Sequence, residues 1–185
     1  DALSEIGGSR DVNSVLALIN AKDEEIRRTA IEILVATKSD DAVDHLIAAT
    51  KDEDWWVRER AVDALAEIGN KKAVPHLVGL LGKNAKTDAV LVRALAKLGD
   101  QSILSKLVPM LTKADRAVQL EAIKAISHLA DEQHADSVRN LLTKVKQQDD
   151  PTIINIADKA IKEIDAKFSG SVIEQNRRAE KLAEA

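Results

Sequence analysis

The sequence predicts an all-α solenoid, an array of antiparallel helix pairs laid side by side along the chain. Three observations carry that expectation. The segment Lys51 to Leu81, KDEDWWVRERAVDALAEIGNKKAVPHLVGLL, recurs in altered copies, and self-similarity at a short fixed period marks a repeat architecture. Within each copy, apolar or small residues recur at i, i+3, i+4 and i+7, the spacing of one helix face. The apolar content is mainly Ala, Leu, Ile and Val, with aromatics only 2% of the chain, and small aliphatic side chains suit closely stacked helices.

The chain opens with Asp1-Ala2-Leu3-Ser4-Glu5-Ile6-Gly7, which overlays Asp63 to Gly69 with one difference, Ser4 against Ala66. The match is to the last turns of a helix, so Asp1 is expected to fall inside a repeat of a larger protein. The same landmark returns at Lys38, Gly69, Gly99, Ala130 and Asp165, after intervals of 31, 31, 30, 31 and 35 residues. First-helix stripes follow at Ile26, Ala30, Ile33, Leu34; Val57, Ala61, Ala64, Leu65; Leu91, Ala94, Leu95, Leu98; Val118, Ala122, Ala125, Ile126, Leu129; and Ile153, Ala157, Ala160, Ile161, Ile164. Second-helix stripes are shorter: Val12, Val15, Leu16, Ile19; Val43, Leu46, Ile47; Val74, Leu77, Val78, Leu81; and Leu104, Leu107, Val108, Leu111. Gly7, Gly69 and Gly99 are expected to end first helices in the left-handed conformation. Asp41, Asn70, Asp100 and Asp131 are expected to cap the second helices, and Asp150-Pro151 to open the last repeat helix.

Residues 1–165 therefore read as the repeat array, and 166–185 as a separate terminal helix set off by Ser169-Gly170-Ser171. Its apolar positions, Val172, Ile173, Asn176, Ala179, Leu182 and Ala183, suit a cap on the end of a stack or a linker.

The unit Asp52, Trp55, Val57, Arg58, Ala61, Ala64, Leu65, Ile68, Gly69, Ala73, Val74, Leu77, Leu80, Leu81 resembles the short HEAT repeat of the phycobilin-lyase type, widespread in bacteria. The resemblance implies a right-handed α-solenoid of about five to six repeats, first helices lining the convex face and second helices the concave one. The arginine ladder of such repeats survives here as Arg27 and Arg58; the matched positions hold Asp88, Gln119 and Ile154. A fold of this kind does not specify an activity.

The chemistry available is limited. With no cysteine, disulfides, thiolate catalysis and Cys-based zinc sites are excluded. His45, His76, His128 and His134 form no H-E-x-x-H motif and no His-Glu dipeptide of the kind used by the iron-dependent hydroxylase that shares this repeat. Phosphate loops and a G-x-S-x-G elbow are also missing. The segment is expected to be no enzyme by itself and to need neither cofactor nor metal. A formal net charge of -4 gives no overall attraction for phosphate backbones. No apolar run reaches the length of a membrane span, and the start of the sequence has no signal-peptide pattern, so a cytoplasmic location is expected.

Candidate binding residues lie off the buried stripe of the second helices. His45 and His76 occupy equivalent places and are expected to be solvated; a two-histidine metal site would want a carboxylate. Lys83, Lys106, Lys113 and Lys144, with Asn140, form a polar floor suited to an acidic protein or peptide. The Trp55-Trp56 pair stands where other copies hold charged or small residues. One tryptophan is expected against the preceding repeat, the other at the rim as an interface anchor. These features predict a non-catalytic scaffold that binds a protein or peptide on its concave face, as a monomeric segment of a larger protein. The alternatives are an accessory subunit of a phycobilin-lyase-like enzyme, where a helical array holds a tetrapyrrole, and a nucleic-acid binder resembling helical-repeat DNA glycosylases.

Overall fold

A computed structural model describes residues 9–38, 40–113 and 115–183, with side chains for 12–38, 40–112 and 115–168. All regular structure among the described residues is helical. The overlay of Asp1 to Gly7 on Asp63 to Gly69 lies outside these residues. The chain divides into two compact units, 1–99 and 100–185.

The first unit contains α1 (Ser9–Leu18), α2 (Glu24–Thr37), α3 (Val43–Ala49), α4 (Trp55–Ile68), α5 (Val74–Leu80) and α6 (Ala85–Leu98). The long helices stack α2 on α4 on α6, and each is packed by the short helix before it, α1, α3 or α5. Each long helix begins at a side-chain cap that satisfies an otherwise orphaned N–H. Asp23 accepts from Glu25 N at 2.8 Å, Asp54 from Val57 N at 2.9 Å and Asn84 from Lys86 N at 3.1 Å. The short helices are entered through 3-10 turns, Asp40–Ala42 and Lys71–Ala73; Asn70 caps the second, accepting from Lys72 N at 2.9 Å. Asp41 lies inside its turn, not ahead of it as the sequence suggested.

Helix ends also depart from expectation. Gly69 is left-handed, at φ 84°, but Gly99 is extended at φ -83°, ψ -174°. Lys38 takes the left-handed conformation without being glycine, at φ 48°. In all three the cap N–H still reaches back to a helix carbonyl, which is what termination requires.

Core positions are broader than one stripe. Ala30, Leu34, Val57, Ala61, Ala64, Leu65, Leu91, Ala94, Leu95 and Leu98 are buried as predicted, and so are Ile31, Val62, Val90 and Val92, which the stripes omitted. A helix that meets neighbours before, behind and beneath it buries more than one face. Others fall short in the other direction: Ile33, Ile47, Val74, Val78 and Leu81 are half-buried, and Ile26, predicted buried, is 43% exposed and with Leu18, Thr29 and Ala30 lines a hollow of about 240 Å³. Its counterpart Val57 is covered because α2 stacks on α4.

The second unit contains α7 (Leu104–Leu107), α8 (Met110–Lys113), α9 (Arg116–Leu129), α10 (Ala135–Val145) and α11 (Pro151–Ala183). Both α9 and α10 pack on α11, while α7 and α8 pack on α9. Asp115 caps α9 through Val118 N at 2.9 Å, and Asp150 caps α11 through Thr152 N at 2.8 Å and Ile153 N at 3.1 Å. The predicted single second helix through Leu104 and Leu111 is split at Val108-Pro109. A proline there removes one backbone donor and clashes with the preceding turn. Conversely, Ser169-Gly170-Ser171, expected to break the chain, lies inside α11. One glycine costs a helix only about 1 kcal/mol relative to alanine, and no proline adds to it. The side chains beyond Phe168, including the predicted capping face, lie outside the described residues.

Candidate functional site

A matched position on the long helices carries a polar side chain in four copies, buried at Arg27, Asp88 and Gln119 and half-buried at Arg58. Arg27 is 6% exposed; its Nη1 donates to Ala21 O at 2.9 Å and Lys22 O at 3.0 Å, in the loop behind it. Its other edge reaches forward, Nε to Asp52 Oδ2 at 2.8 Å and Nη2 to Asp52 Oδ1 at 2.9 Å. Arg58 repeats the backward half, Nη1 donating to Asp52 O at 2.7 Å and Glu53 O at 2.9 Å. Asp88, matched to these arginines, instead accepts from Gly82 N at 2.9 Å. In the second unit, Gln119 Nε2 donates backward to Leu111 O at 3.0 Å and forward to Gln148 Oε1 at 3.2 Å.

The ladder that looked only two arginines long thus continues through Asp88 and Gln119. Burial demands that the loop's polar backbone be paired, and three residue types can supply the partner. The sequence did align Asp88 and Gln119 with the arginines; the missing signal was that a polar residue surviving in a buried slot is itself informative.

On the short-helix side of the first unit, His45 and His76 are both half-buried, not freely solvated as expected. His76 Nε2 lies 2.9 Å from Thr50 Oγ1, which already gives its own proton to Ile47 O at 2.8 Å. Nε2 must therefore carry a hydrogen and donate it. Burial pushes the His76 imidazole below its ordinary range, and the ammonium groups of Lys51 and Lys83 push the same way. It is a neutral donor at the edge of a positive field. Thr50, buried at 6% exposure, was not foreseen in this role. His45 Nδ1 is buried with no hydrogen-bond partner. Among the described residues no group of three or more His, Asp or Glu side chains could hold a metal ion.

The tryptophans separate. Trp56 is half-buried, with the Arg28 guanidinium 5.3 Å and that of Arg60 6.0 Å from its ring centroid, so α2 and α4 both contribute cations to one ring. Both arginines are fixed in turn. Arg28 Nη2 meets Asp54 at 2.9 Å, and Arg60 grips Glu32 through Nε and Nη2 at 2.7 Å each. The hydrogen bond from Arg28, then that from Val57 N–H, holds the Asp54 carboxyl below its usual range. Trp55 is 58% exposed at the first residue of α4.

In the second unit Lys106, Asn140 and Lys144 are exposed; the Lys113 side chain lies outside the described residues. Lys144 borders a hollow of about 350 Å³ lined by Val108, Pro109, Leu111, Thr112, Leu141 and Val145. The break at Pro109 places apolar side chains there beside a single cation. A second, more polar hollow of about 500 Å³ runs from Asp100 and Ser105 to His134 and Ser137. Lys83 belongs to the first unit, so the lysines form two local sets.

Stacked helix pairs joined by buried loop ties define an α-solenoid of the HEAT and armadillo type, a class of binding scaffold. The chain matches the family model for HEAT repeats over residues 12–88 and 82–153, and it belongs to that family. It is 37% identical over 109 residues to the bilin biosynthesis protein PecE of Nostoc sp., covering 58% of this chain and 43% of PecE. With the phycocyanobilin lyase subunit alpha of Picosynechococcus sp. it shares 26% over 145 residues, 68% of this chain and 54% of that one. The chain thus spans about half the length of these relatives. Among solved structures, the complex of CpcE and CpcF of phycocyanin lyase from Nostoc sp. superposes with a TM-score of 0.60 at 23% identity, covering 82% of this chain and 64% of the matched one, a likeness of fold. No described helix is long and apolar enough to cross a membrane.

Proposed function

We propose that this chain is a scaffold subunit of phycobilin-lyase type, a HEAT solenoid that acts by holding a protein partner within a bilin-handling assembly. The observation that carries this is the 37% identity to PecE over 109 residues. It favours the accessory-subunit alternative over a scaffold of unspecified purpose. CpcE, which shares the fold, is found in complex with CpcF, and a paired arrangement with a second subunit is the form we propose here.

The proposed contact surfaces are chemically consistent with that role. Each local set pairs cations with a hydrogen-bonding or apolar floor: Lys83 beside His76, and Lys144 beside the Pro109 hollow. Exposed Trp55 adds an anchor of the residue type that most often dominates interfaces. We assign no bond-making step to His45 or His76, since His76 is neutral and engaged with Thr50. The cations steer an acidic partner and the apolar residues retain it.

The test is reconstitution. Phycocyanin apoprotein and phycocyanobilin are incubated with a cognate second lyase subunit, with and without this chain, and covalent attachment is read by absorbance after denaturation. Attachment that depends on this chain supports the proposal; equal attachment without it, together with no co-elution with the second subunit, overturns it. Binding to duplex DNA with a steep salt dependence would instead favour the nucleic-acid alternative.

A further inference from the structure

The seam between α3 and α5 is tied in the first unit, and its counterpart in the second is not. Thr50, at the end of α3, lies 2.9 Å from His76 of α5, so a hydrogen bond spans that seam. The residues at the same offsets in the second unit are Leu111 and Ser137, which are 26 positions apart like Thr50 and His76. A leucine side chain has no donor or acceptor to offer. Where the tie is missing, hollows of about 500 and 350 Å³ lie between the α7 and α8 segment and α10.

The two hollows are halves of one groove. One wall carries Leu104, Val108 and Leu111 and the other Val138, Leu141 and Val145, each set at the spacing of a helix face. Val108 and Leu141, both half-buried, line both hollows, so the halves join there. The groove follows the 11 residues of α10, which at the helical rise is about 16 Å, or about three turns. Its ends differ in charge. Asp100 lines the wider end beside His134, whose Nδ1 lies 2.6 Å from Asp131 Oδ1. That hydrogen bond is the main cause that holds the Asp131 carboxyl below its usual range, so the carboxylate stays charged. Lys144 lines the narrower end and is exposed. Both walls present side chains and no strand edge. An extended peptide laid there would leave its N–H and C=O groups facing leucine and valine, a cost that a helix avoids by pairing them internally.

We propose that the groove between the α7 and α8 segment and α10 seats an amphipathic helix of a partner protein, with an acidic first turn at Lys144 and a basic last turn at Asp100. Aliphatic side chains at i, i+3 or i+4 and i+7 of that helix fill the space between the walls. In this direction it runs antiparallel to α10, so its positive N-terminal end meets the negative C-terminal end of α10. The acidic first turn and basic last turn also suit its own dipole. The inference rests on the reading of this chain as the holder of a protein partner and names the kind of segment held; it needs no bilin.

The probe is a fluorescein-labelled peptide of about 14 residues, about 21 Å long as a helix. Leucines run along one face, glutamates stand in the first turn, lysines in the last, and alanine fills the rest. Its anisotropy is followed as the chain is added, and saturable binding is expected. Leu141→Lys, which puts a charge where the two hollows join, should weaken binding about tenfold or more. Lys144→Glu, at an exposed position, should weaken it about tenfold, and a peptide with lysines in its first turn should prefer that variant to the wild type. A folding defect does not produce such an exchange of preference. The proposal is overturned by an absence of saturable binding, by equal binding of a peptide whose leucines are dispersed around the helix, or by undiminished binding to Leu141→Lys. A peptide with a central proline that binds as strongly would show an extended occupant and overturn it as well. So would sedimentation in which the chain alone dimerises and Leu141→Lys does not, since the groove would then belong to a second copy. The two readings fail separately. Bilin attachment that depends on this chain, without peptide binding, removes only this inference, and peptide binding without attachment removes only the lyase reading.

Discussion

Arg27 in the first unit and Gln119 in the second occupy the same slot and make the same two connections, one to the loop behind and one to the loop ahead. One does it with a buried charge pair, the other with a neutral amide. The same pair of ties is thus made with a charge through four hydrogen bonds at Arg27 and without one through two at Gln119, so the slot leaves the charge of the residue open. The cost of a charge appears when its partner is lost. Arg58 retains the backward tie and leaves a donor unpaired in front, whereas an amide in that place would leave nothing ionic behind.

The contrast can be broken directly. Arg27→Ala strands Asp52 and two carbonyls, and breaking a buried pair of this kind should cost about 3 kcal/mol in urea unfolding. Gln119→Leu leaves Leu111 O without this donor but strands no charge, so about 1–2 kcal/mol is expected. If Gln119→Leu cost as much as Arg27→Ala, the ionic half of the Arg27 tie would contribute nothing beyond its hydrogen bonds.

The tryptophans sharpen the same distinction between a tied and an untied side chain. Trp56→Ala removes a ring that two guanidinium groups approach, and a loss of about 1–2 kcal/mol is expected. Trp55→Ala should change stability by less than about 0.5 kcal/mol yet weaken partner binding about tenfold or more, as an interface anchor would. Calorimetric titration with the partner, beside thermal melts, separates the two outcomes.

The smallest effect concerns pH. The folded state holds His76 below its ordinary value of about 6.5. Its contribution to stability is therefore complete above that value and is lost as pH falls through the lower folded value. His76→Gln should flatten stability across this window. The Asp54 carboxyl is also depressed, chiefly by Arg28, but its contribution is present above about 3.9 and fades only below it, so the two are separable by pH.

Much of the fold was legible because helix stacking is written in period and residue size. Ala61, Ala64, Leu65 and their counterparts were placed correctly in the core. Ile31, Val62 and Val92 were missed because a one-face template describes a surface helix, while α2, α4 and α6 are covered on several sides. Ile26 was wrong for the opposite reason: its periodicity is sound, but no described helix covers it. Breaks were judged by residue type, which overrated Ser169-Gly170-Ser171 and overlooked Pro109. The candidate site was less legible. Nothing local in the sequence distinguishes Thr50 from a solvated threonine, or indicates that Trp56 and not Trp55 would be the packed member of the pair.

By itself the sequence determined the long helices α2, α4, α6 and α9, their order and their repeat register, since each depends on residues a few positions apart. Only the tertiary structure decided which polar side chains are paired. Arg27 meets an acceptor 25 residues away and Gln119 one 29 residues away. Whether Arg58 does so depends on the residue that the next loop presents at that distance, which is Lys83.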